Sequence, residues 1–113
     1  MTFEEALKRL TEKEPEKFKL WNVSNTLCLQ SNPDVEPYLD GSDATQDDID
    51  AILAEIGWEY EVNHTHDQRA WTAWIWRIED YVTLNGNYTR RRPSKLEAAK
   101  AALIAVVERE YPK

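Results

Sequence analysis

At 113 residues the chain has the length of a single domain, 1–113, and its 42% apolar and 31% charged content excludes a disordered tail. No apolar run approaches the ~20 residues of a membrane span. The acidic, amphipathic N-terminus is unlike a secretory signal, and the lone Cys28 excludes an internal disulfide, so a cytoplasmic protein is expected. The net charge of −7 is unevenly placed: residues 1–19 balance, residues 20–68 carry eleven acids and no Lys or Arg, and residues 69–113 hold nine bases against five acids. Such polarity bears on partners, not on fold.

Thr2 followed by Glu5 reads as a capping box, and Phe3, Ala6, Leu7 and Leu10 form the stripe of a first helix that Pro15 ends. After Pro15, Phe18 and Trp21 at helical spacing predict a second helix up to about Trp21, with Val23 to Leu29 open between helix and strand. Residues 31–45 are rich in Ser, Asn, Asp, Pro and Gly and read as an acidic surface loop. Thr45 then caps a helix with acids in its first turn, the stripe Ile49, Ile52, Leu53, Ile56, and a stop at Gly57.

Trp58, Tyr60 and Val62 alternate with Glu59 and Glu61 as in a half-buried antiparallel strand. After a polar turn, Ala70 to Ile78 puts three of the five tryptophans into nine positions. With period two, Trp74 and Trp76 fall on one face and Trp71 and Ile75 on the other, so bulk on both faces predicts a buried central strand. A third strand is expected between Tyr81 and Arg91, with Asn85-Gly86 or Glu79-Asp80 as the closing turn. Ser94 and Glu97 open a last helix that is apolar nearly all round and must be covered on two sides. The expected class is α+β: N-terminal helices, a three-stranded antiparallel sheet, and a long C-terminal helix packed on it.

The second half, with a helix ending in Ile56-Gly57-Trp58, a strand around Trp71 and Trp74, and the closing Glu97-Ala98-Ala99 and Ala101-Ala102-Leu103, resembles the small phage and prophage proteins of the ABA sandwich type. That resemblance implies a fold and a mobile-element origin but no functional residue. The Trp-heavy strand and the Arg90 to Arg92 run depart from it. The expected α-β-β-β-α order is also similar to double-stranded RNA-binding domains, although Ser94, Lys95 and Lys100 match their basic helix start poorly.

His64, His66 and Asp67 form the one candidate metal cluster; no third fixed ligand is evident beside the histidines, so no metal and no cofactor is expected. The acids of residues 34–50 lack the spacing and central glycine of a calcium loop. A nucleotide-binding glycine loop, a nucleophile elbow and a Cys-His pair are all missing from the sequence, so an enzyme is not expected.

Two readings remain. In the first, Asp34, Glu36, Asp40, Asp43, Asp47, Asp48 and Asp50, seven carboxylates in seventeen residues, bind a protein partner with a basic surface. A phage-encoded inhibitor of a host nucleic-acid-handling defence complex, imitating a phosphate track as a DNA mimic does, would act so. In the second, Arg90, Arg91, Arg92 and Lys95 bind nucleic acid through phosphates. The charge favours the first, because the −11 segment repels a duplex. The arginines could instead meet the acidic loop of the same chain or of a neighbouring copy in a homodimer.

Overall fold

The computed structural model describes residues 1–84 and 91–112. Helix α1 spans Phe3–Lys13 and begins at Thr2, whose hydroxyl accepts from the Glu5 amide. Phe3, Ala6, Leu7 and Leu10 are its buried stripe. The expected second helix is instead a strand: β1, Phe18–Trp21, pairs antiparallel with β2, Thr26–Leu29. The physical reason is the partner. Phe18 opposes Leu29 and Leu20 opposes Leu27, so period two unites four apolar side chains that a helix would have split between faces. Asn25, at φ 54°, takes the left-handed position in the turn, which asparagine tolerates.

Residues 31–45 lie along the other edge of β2. The amides of Leu27 and Leu29 donate to the carbonyls of Pro37 and Val35, and the Leu39 amide donates to Asn25. Val35, Pro37, Leu39 and Ala44 turn inward while the carboxylates face water. Gly41, at φ 77°, comes so close to Phe3 that a Cβ there would sit 2.9 Å from its ring, and its carbonyl accepts from Lys100 at 3.1 Å. The acidic segment is therefore pinned to α1 and to the C-terminal helix.

Helix α2, Gln46–Glu55, opens with a complete capping box between Thr45 and Asp48, buries Ile49, Ile52 and Leu53, and is followed by Gly57 at φ 85°. Strand β3, Trp58–His64, pairs antiparallel with β4, Trp71–Arg77. Helix α3, Lys95–Glu110, is capped by Ser94. It packs against α1, α2, β3 and β4, which covers its apolar circumference. No helix among the described residues is long and apolar enough to cross a membrane.

The class is α+β with two two-stranded antiparallel sheets. Among the described residues the expected third strand amounts to isolated bridges on the far side of β4, Trp76 to Thr83 and Trp71 to Arg92. The Asn85-Gly86 turn lies outside the described residues. A second correction concerns β4 itself. Ala73 and Ile75 are buried, but Trp74 is 54% exposed and Trp76 only half-buried. All three helices contact one another or the inner face, so the bulk on the outer face has no layer above it among the described residues.

Candidate functional site

The seven carboxylates of residues 34–50 divide by the work they do in the fold. Asp48 closes the α2 capping box. Asp43 accepts from the Tyr38 amide at 2.7 Å, and Asp40 from the Ser42 amide at 2.9 Å. The Ser42 amide, then its hydroxyl, holds the Asp40 carboxyl below the usual range. Asp34, Glu36 and Asp47 are exposed and make no side-chain hydrogen bond or ion pair among the described residues. Asp50, also exposed, stands near Tyr60. The Tyr60 hydroxyl is buried without a hydrogen-bond partner among the described residues. Burial first, and then Asp50, raises its pKa well above that of an ordinary phenol.

Two further acids extend this row. On β3 Glu59 and Glu61 face outward, and the antiparallel register sets Glu59 opposite Trp76 and Glu61 opposite Trp74. With Tyr81, 76% exposed, and Thr83 they line a shallow depression of ≈ 430 Å³. Beside it a groove of ≈ 630 Å³ runs between α2 and β3, carrying Gln46, Asp50 and Ala54 on the helix side. Trp58, Glu59, Tyr60, Glu61 and Val62 form its strand side, and Trp76 its rim. Three of the seven predicted site carboxylates, Asp47, Asp48 and Asp50, thus sit on the helix that walls this groove, and Asp50 among them lines it, while Asp34 and Glu36 belong to the segment beside β2. Glu59, Glu61, Trp74 and Trp76 were not among the predicted site residues. Their signal was the alternation of Glu59 and Glu61, which marks the outer face of β3. Residues opposite one another in an antiparallel pair share a face, so the register needed to be known.

The arginine run is differently placed. Arg90 lies outside the described residues. Arg91 is paired with Asp67 at 2.8 Å, in the β3–β4 turn and not in the acidic segment. The main chain of Arg92 exchanges two hydrogen bonds of 2.8 Å with Trp71. Lys95 stands 4.9 Å from the Trp71 ring centroid, and His64 stacks on the same ring at 3.6 Å. Asp67 also accepts from the Thr65 hydroxyl and the Arg69 amide. These two contacts lead, ahead of Arg91, in lowering its pKa. His64, Asp67 and the basic residues thus brace one end of the hairpin. Among the described residues no three His, Cys, Asp or Glu side chains converge as metal ligands would.

Carboxylates interleaved with exposed indoles suit guanidinium or ammonium groups: the acids supply charge, and each aromatic face adds ~0.5–2 kcal/mol when the cation sheds water. The Cys28 thiol is pushed up, first by burial and then by Glu36, which lowers its thiolate fraction. No protein family, curated protein or solved structure matches this chain.

Proposed function

We propose that this chain is a non-catalytic binding protein that presents an acidic, aromatic-edged surface to a basic site on a protein partner. The observation that supports the reading is that the base-free stretch 20–68 gathers carboxylates from two elements around one groove, Asp50 on α2 and Glu59 and Glu61 on β3. Long-range attraction by such a surface speeds encounter, and the exposed Trp74 with the half-buried Trp76 gives an arriving arginine a flat apolar contact. An inhibitor that imitates a phosphate track to occupy the basic channel of a nucleic-acid-handling complex is one use of such a surface, and a phage-encoded protein is the setting the sequence resemblance implies.

The test is titration of the tryptophan fluorescence with an octa-arginine peptide and, separately, with a DNA duplex across a salt series. The reading expects peptide binding that weakens with salt. It expects at least tenfold loss when Asp47, Asp50, Glu59 and Glu61 are replaced by Asn or Gln, and a smaller loss for Asp34→Asn with Glu36→Gln. Duplex binding at physiological salt, abolished by an Arg90/Arg91/Arg92/Lys95→Ala variant, would replace it with the nucleic-acid reading.

A further inference from the structure

The parity of the β3–β4 ladder decides which way each main-chain group of β3 points. The Ile78 amide donates to Gly57 and the Thr65 amide to Ala70, both at 2.9 Å. These contacts mark Gly57–Ile78 and Thr65–Ala70 as hydrogen-bonded pairs. Hydrogen-bonded pairs recur every second residue, so Glu59, Glu61 and Asn63 aim their amides and carbonyls at β4. Trp58, Tyr60 and Val62 aim theirs the other way. Among the described residues no main-chain group accepts from or donates to Tyr60 or Val62 on that outer side. The corresponding edge of β4 is treated differently, because Arg92, Val82 and Leu84 satisfy Trp71, Arg77 and Ile75. One edge of the hairpin is covered and the other is open.

An open edge is a template for another strand, and folded proteins usually blunt such edges with Lys, Pro or a covering element. Strand β3 contains no Lys and no Pro. What flanks the edge is the groove of ≈ 630 Å³, walled by α2 through Gln46, Asp50 and Ala54. Asp50 lies on one side of the edge and Glu59 and Glu61 on the other, with Trp76 at the rim and no base in the lining. Both faces of an added strand would therefore meet carboxylates. A second copy of β3 would bring its own Glu59 and Glu61 against these, so the charge that invites a basic strand discourages self-pairing.

Resting on the proposed acidic binding role, we infer that the outer edge of β3 accepts an extended basic segment of the partner. That segment would lie in the groove between β3 and α2 as an added strand, hydrogen-bonded to the main chain of Tyr60 and Val62. The carboxylates select Arg or Lys side chains, and the main-chain bonds fix the segment in register.

The probe is a seven-residue peptide alternating arginine and valine. It should bind, and it should slow hydrogen exchange at the Tyr60 and Val62 amides at least tenfold. N-methylation at alternate residues, made in each of the two phases, should cost at least tenfold in affinity in one phase, and Val62→Pro should do the same from the protein side. If both methylated peptides bind like the parent and the two amides gain no protection, strand addition is overturned, whether or not Val62→Pro folds. The carboxylate reading is scored separately, by an Asp50→Asn/Glu59→Gln/Glu61→Gln variant. Loss of peptide binding there, with the N-methyl series flat, leaves an acidic surface that works without strand addition. Unchanged binding in that variant overturns the acidic role, and with it the selection of a basic segment.

Discussion

On the inner face of the β3–β4 hairpin Trp58, Ala73 and Ile75 are at most 1% exposed, whereas across the same backbone Trp74 is 54% exposed and shares its face with Glu59 and Glu61. Both faces carry indole bulk, so bulk did not decide which side met the core. The decision came from the partner strand. Trp58, Tyr60 and Val62 could be covered by α2 and α3, and Glu59 and Glu61 could not, so whatever lies opposite the glutamates is held in water with them. A tryptophan kept at the surface beside carboxylates is a different object from one in the core, although the sequence writes both in one run.

The largest test of this contrast is the inner face. Trp58→Ala should destabilise by ~3–5 kcal/mol and Ile75→Ala by ~2–5 kcal/mol, through lost transfer energy and a residual cavity. Trp58→Ala also removes the ring that the Arg77 guanidinium approaches at 5.2 Å. Urea unfolding followed by far-ultraviolet circular dichroism measures both. A cost below ~1 kcal/mol for Trp58→Ala would dissolve the distinction between the faces.

Tyr60 is the flaw in that inner face, since its hydroxyl is buried and unpartnered among the described residues. Tyr60→Phe should raise stability at neutral pH by on the order of 1 kcal/mol, because the desolvated hydroxyl is removed and the ring kept. Its folded pKa lies above the ordinary phenol value, so the folded state favours the neutral form. That contribution is fully present below about pH 10, the unfolded phenol value, and is lost as pH rises through the folded one. The variant should therefore lose part of the alkaline decline. Tyr111, raised by burial and by its bond to Glu14, keeps the remainder. Stability curves at pH 7 and above pH 10 check both signs.

The three helices were legible because each carries its own boundary signals. Thr2, Thr45 and Ser94 cap where the sequence places them, and the apolar stripes that follow are the buried ones. Strands β3 and β4 were legible from alternation. The β1–β2 hairpin was not, because Phe18 and Trp21 also satisfy helical spacing, and only the distant Leu27 and Leu29 break the tie. The acidic segment was legible as surface but not as pinned, since Lys100, which holds Gly41, lies 59 residues away. At the candidate site the acids were readable, whereas their aromatic neighbours required a strand register that no local pattern fixes.

The smallest stability effect belongs to Trp74→Ala, and it isolates the outer face. With Trp74 already 54% exposed, truncation leaves no enclosed cavity. Its cost should stay within ~1 kcal/mol, far below that of the inner-face variants. Because Trp74 sits opposite Glu61, the same substitution should weaken binding of an arginine-rich peptide severalfold, by removing the ring face while leaving both carboxylates in place. Trp74→Phe keeps an aromatic face and should recover much of that affinity. Peptide titration beside urea unfolding gives the two numbers in one series. A Trp74→Ala variant as unstable as Trp58→Ala would mean that the outer face is core after all. One that is stable and binds normally would confine recognition to the carboxylates and the edge of β3.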